Sequence, residues 1–171
     1  MNSSVQHMFP EQRAAAQDAF DAVWDHFVSR GCGPSFEAGT CLYRSGDEGT
    51  NRCAIGVLLS DEDYAAMNES QRRTNVSALL SEGYKFPKSP LIQRTFPDCA
   101  PSAHGSSASQ RAAKQFLREL QDAHDLPILS KLNEPDGWRA GYRDEARAEF
   151  PAKVRAALVA LAHSWDLQVP A

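Results

Sequence analysis

The chain reads as a mainly α protein with one small β-hairpin. Three observations predict this. Apolar residues recur at helical spacing along most of the 171 residues. One stretch alone, residues 40–57, carries two short strand-prone runs around a turn-forming segment. Gly and Pro clusters separate the periodic stretches. Doubly wound and sandwich folds, which need many strands, are thereby excluded. The length suits a single domain over 1–171 with a core of its own.

Pro10 is placed to open the first helix. Ala16, Phe20, Val23, Trp24 and Phe27 then follow on one face, and Gly31 with Gly33-Pro34 ends the run. Residues 40–44 and 52–57 are expected to form the hairpin, with 45–51 (SGDEGTN) as its turn. Alternation puts Cys41 and Tyr43 on one face and Leu42 and Arg44 on the other. On the second run Cys53 and Ile55 share a face, which can bring Cys41 close to Cys53. Ser60 with Asp61, Glu62 and Asp63 is a serine cap and acidic first turn for a helix, with Tyr64 and Met67 packing inward. A short helix over about 74–82 buries Val76, Leu79 and Leu80 and stops at Gly83.

Residues 85–108 read as a Pro/Ser-rich loop or insertion, with Leu91, Ile92 and Phe96 anchoring one turn. Ser107 or Ser109 caps the next helix, about 109–125, whose stripe is Ala113, Phe116, Leu117, Leu120 and His124. Pro127 is expected to close it. A last helical region, about 138–166, keeps Tyr142, Ala146, Phe150, Val154, Leu158, Leu161 and Trp165 in phase across Pro151, as one kinked helix or two.

The net charge of −4 argues against general nucleic-acid binding. No apolar run approaches the ~18 residues of a membrane span. Residues 1–10 lack a basic segment followed by an apolar one, so a cytoplasmic location is the expectation. The four cysteines then read as thiols, and none forms a CxxC pair. Gln71-Arg72-Arg73 reads as a solvated turn and residues 139–147 as a charge-alternating exposed face.

Cys41, Tyr43 and Arg44, then Cys53 to Gly56 with Leu58, Leu59, Asp61 and Tyr64, then Phe116 to Asp125, make up a combined pattern. It resembles a set of small, largely uncharacterised proteins carried by bacteria, phages and prophages. The resemblance covers about residues 14–166. It implies a phage or mobile-element origin and, by association, an accessory role in binding host proteins or small molecules such as nucleotide signals.

The residues themselves support three chemistries. A cysteine-dependent hydrolase would use Cys53 as nucleophile, His124 as base and Asp125 as orienter, with Arg44 and Arg52 lowering the thiol pKa. Against it, Cys41 and Cys53 suit a packed hairpin face. A metal site would draw on Cys41, Cys53, His124 and His104 or Cys99, but the spacing fits no knuckle. No metal or other cofactor is therefore expected. A ligand pocket would gather Tyr43, Arg44, Arg52, Gln121, His124 and Asp125, with arginine forks for phosphate or carboxylate. Its competitor is a buried polar network in which Arg44 pairs with Asp125 or Asp61 and His124 is hydrogen-bonded. The expectation is an accessory protein that binds a small anionic ligand or a host protein without catalysis. The alternatives are the hydrolase and a purely structural or interaction protein, and the oligomeric state is left open.

Overall fold

Pro10 sits at the first position of α1 (Pro10–Trp24), where its missing N–H is no loss. The computed structural model describes residues 8–37, 40–45, 51–96, 108–132 and 142–171. The protein is mainly helical, as the periodicity predicts. Gln12 does much at the start of α1. Its side-chain oxygen accepts from the Phe9 N–H at 3.1 Å and from the Ser109 hydroxyl, and its amide donates to the Thr95 carbonyl at 3.5 Å. Three segments are thus joined through one buried amide. After Trp24 the helix loosens into a π-turn, Asp25–Ser29, which carries Phe27 into the core.

The predicted hairpin is real but differently built. Strand β1 (Phe36–Glu37) pairs antiparallel with β2 (Thr40–Cys41), and β3 (Arg44–Ser45) pairs with β4 (Asn51–Arg52). Residues 40–44 therefore split between two ribbons. The run expected as the second strand stops at Arg52, and α2 (Ala54–Leu58) follows at once with Cys53 as its cap. Ala54, Ile55, Gly56 and Leu58 are all buried. A short run buried on every side carries no period that separates strand from helix.

Ser60 caps α3 (Asp61–Ala66) through the Asp63 N–H at 3.0 Å. Residues 71–73, read as a solvated turn, belong to α4 (Glu69–Arg72) and its cap, started by an Asn68–Gln71 capping box. Asn75 caps α5 (Val76–Ser81), and Gly83 ends it at φ +79°. Part of the expected 85–108 loop is ordered and packed. Phe86, Ser89 and Ile92 are buried, and Pro90–Thr95 forms α6. His104, Cys99 and Ser107 lie outside the described residues.

Helix α7 (Ala108–Leu132) runs past Pro127 instead of ending there. A proline forfeits one ladder hydrogen bond, and two turns of buried apolar stripe precede it. Helix α8 (Tyr142–Trp165) likewise continues through the exposed Pro151. Helix α7 packs along α8, α1 along α6, and α2 and α5 against α7. Their buried faces merge into one hydrophobic cluster running from Met8 to Leu167. No helix among the described residues is long and apolar enough to cross a membrane.

Gly56 sets how closely α2 approaches the ribbon. A Cβ there would lie 1.8 Å from the Tyr43 carbonyl oxygen, and that carbonyl also accepts the Cys53 N–H at 3.0 Å. Gly56→Ala is expected to cost more than about 4 kcal/mol, because backbone rather than a flexible side chain must move. Chemical denaturation measures this, and a loss below about 1 kcal/mol would show that the approach is not needed.

Candidate functional site

The predicted site residues separate into a sealed network and an open rim. The network centres on Asp125, near the end of the regular α7 stripe. Asp125 accepts from His124 Nδ1 at 2.7 Å and from the Gln121 amide at 3.3 Å. The Cys41 thiol hydrogen-bonds to the same carboxylate. Gln121 in turn accepts the Val76 N–H at 2.9 Å, which fixes the start of α5. His124 is fully buried, with its ring 5.1 Å from that of Phe27 and 5.4 Å from that of Phe150.

His124 Nε2 accepts the backbone N–H of Ser35 at 3.3 Å. An acceptor at Nε2 puts the proton on Nδ1, where it is donated to Asp125. That assignment bears on both chemistries raised by the sequence. A base needs its free nitrogen facing a nucleophile, and here a backbone donor occupies it. A metal bound at Nδ1 would require a hydrogen on Nε2, facing the Ser35 N–H. Donor atoms of Cys41, His124 and Asp125 do lie within 4.8 Å of one another. The imidazole hydrogen bonds do not suit a metal there.

Ser35, His124 and Asp125 follow the order of a hydrolase triad, yet the hydroxyl of Ser35 turns away to Ser45 at 3.1 Å. Both Ser35 and His124 are wholly out of solvent. Sequence reasoning missed Ser35, because a serine beside Gly33-Pro34 carries no local signal of its partner 89 residues away.

Cys53 is not paired with His124 in any described hydrogen bond. Its sulfur caps α2 by accepting the Gly56 N–H at 3.3 Å. Burial pushes its thiol pKa up, and the charge of Asp125 adds to this, outweighing the backbone N–H groups. Cys41 is shifted up in the same way, by burial first and Asp125 next. The two thiols sense each other electrostatically, in keeping with the expected closeness. Tyr43 is buried and donates to the Thr74 carbonyl at 2.5 Å. Its ring is a core element, and burial raises its phenol pKa.

The open rim is built by Arg44, Arg52, Asp61, Tyr64 and Arg72. Arg44 donates to Asp61 at 2.7 Å and to the Leu59 carbonyl at 2.8 Å. Its side chain is only 8% exposed, whereas Asp61 is 82% exposed. Arg52 approaches the same Asp61 oxygen at 3.6 Å. The guanidinium carbons of Arg44 and Arg72 each lie 4.6 Å from the centre of the Tyr64 ring, in cation–π range. The Nε atoms of both arginines are buried without a hydrogen-bond partner among the described residues. Arg44 and Arg52, directly opposed in the β3–β4 register, supply the two charges nearest Asp61. Tyr64 and Arg72 were read from sequence as core and surface residues, since neither pattern shows that α3 and α4 fold back over one ring.

His26, on the π-turn, lies within the electrostatic reach of Arg52. Burial lowers its pKa first, and the positive charges of Arg52 and Arg30 add to this against a smaller opposing effect of Asp25. Its Nε2 is buried without a hydrogen-bond partner among the described residues.

Comparison with family models, with curated proteins and with solved structures gives no match to this chain.

The buried Cys53 and half-buried Cys41 thiols yield a direct expectation. Iodoacetamide at neutral pH should leave the Cys41 and Cys53 peptides far less labelled than a free model thiol, since the thiolate is the reacting species. Peptide mass spectrometry of the native protein reads this. Labelling of Cys53 at or above the model rate would contradict the burial and revive the thiol chemistry.

Proposed function

We propose that the protein is a non-catalytic binder of a small anionic ligand, and that the ligand is held at the arginine rim rather than in the His124–Asp125 network. One observation carries this. Two guanidinium groups, of Arg44 and Arg52, share a single exposed carboxylate, a third, of Arg72, lies with Arg44 against the Tyr64 ring, and Arg44 and Arg72 each hold a buried Nε–H with no acceptor among the described residues. A buried donor left unsatisfied costs free energy that an incoming acceptor can return. The nearby Asp63 does not supply one, because its carboxylate accepts from the Ser89 hydroxyl and the Lys88 N–H.

Guanidinium forks match phosphate and carboxylate oxygens. Nucleotides fit this class through their phosphates; the Tyr64 ring already has arginine guanidinium groups against it, so base stacking there is not invoked. The absence of catalysis is supported by a nucleophile-poor rim and by thiols held in the neutral form. The accessory, mobile-element setting rests on the sequence resemblance alone.

Thermal-shift titration with inorganic phosphate, nucleoside monophosphates and a cyclic dinucleotide tests the proposal. At least one should raise the melting temperature, and Arg52→Ala should abolish the rise. Arg52 is about one-third exposed, so this variant is expected to fold. Arg44→Lys, which keeps charge but loses the fork, should weaken the effect. No shift with any of these anions would overturn the proposal.

A further inference from the structure

Asp61 occupies the place an anionic ligand would take. Its Oδ1 is shared by Arg44 at 2.7 Å and Arg52 at 3.6 Å, while 82% of its side chain faces water. The hydrogen bond and charge of Arg44 keep its carboxyl below the ordinary range, so it stays ionised near neutrality. Only the Arg44 side of the pair is buried, and the solvated carboxylate can leave it by turning further into water. It is also always present, at the high effective concentration of a tethered group.

We propose that Asp61 is a built-in competing anion that shuts the arginine rim to monoanionic carboxylates and yields it to phosphate dianions. The proposal rests on the rim being the anion site. A free acetate offers Arg44 and Arg52 the same group that Asp61 already provides, without the tether, and therefore loses. A phosphate monoester brings about twice the charge and three acceptor oxygens. It can engage both arginines together where one Asp61 oxygen is now divided between them. The displaced carboxylate moves into water, where it is already largely solvated. Asp61 is the first residue of α3 and Ser60, not Asp61, caps that helix. Releasing the carboxylate from Arg44 therefore leaves the helix start intact.

Calorimetric titration of wild type and Asp61→Asn with inorganic phosphate and with acetate tests the inference. Asp61→Ser serves as a second charge-removing variant should the first not fold, and far-UV circular dichroism confirms that each is native. Wild type should bind phosphate and show no acetate binding. Either variant should bind phosphate about three- to tenfold more tightly, as expected for removing a neighbouring like charge, and should gain measurable acetate binding. Phosphate binding detected only in the variants would overturn the gate as stated, because Asp61 would then not yield to phosphate. Unchanged or weaker phosphate binding in a folded variant would overturn the gate, while the anion site stands so long as wild type binds and Arg52→Ala does not. Absence of phosphate binding in wild type and both variants would overturn the gate and the anion site together.

Discussion

Everything around the two ribbons depends on one carboxylate. Asp125 receives His124, Gln121 and Cys41, and through them it gathers the Ser35 loop, the start of α5 and strand β2 onto α7. A half-satisfied buried polar group is costly, and a fully connected network is specific. Each member here has a partner whose position is fixed by another element. Removing one would leave a buried donor or acceptor facing apolar neighbours such as Phe27 and Phe150. The network's closure is the reason it reads as architecture, not chemistry.

That closure moves function outward. The residue types for acid–base, thiol and metal chemistry are all present, but their free valences are spent on holding segments together. Arg44 stands at the boundary. Its guanidinium lies over the Tyr64 ring, one amino group ties the Leu59 carbonyl, and the other reaches the exposed Asp61. The same side chain braces α2 against α3 and presents positive charge to solvent. Burying most of an arginine is tolerable because its planar fork finds acceptors and an aromatic face at once. The unused Nε–H groups of Arg44 and Arg72 mark where that accommodation is incomplete.

Much of the helical frame was legible. The stripes Ala16–Phe27 and Ala113–His124 are buried as their spacing predicts, and the Ser60 and Gly83 signals mark real boundaries. The misplaced elements share a cause. Pro127 and Pro151 lie within helices whose buried stripes, Ala113–His124 before Pro127 and Phe150 with Val154 about Pro151, outweigh one lost hydrogen bond. Residues 54–58 are buried all round, so no period distinguishes helix from strand. In the candidate site, the hydrogen-bonded His124 and the pairing of Arg44 with Asp61 follow the anticipated polar network, whereas the contact of His124 with Asp125 was anticipated only as base and orienter of a hydrolase. The contribution of Ser35 was not legible, since it acts through its backbone N–H. Nor was Arg72, whose proximity to Tyr64 arises from the turn between α3 and α4.

The tautomer of His124 is the sharpest test of the view that the buried polar cluster is structural. Long-range ¹H–¹⁵N correlation of the imidazole nitrogens at neutral pH, with and without added zinc, reads it directly. The account predicts a protonated Nδ1 and a bare Nε2 held by Ser35, unchanged by zinc. A proton on Nε2, or a zinc-induced shift of Nδ1, would contradict it and return the cluster to chemistry.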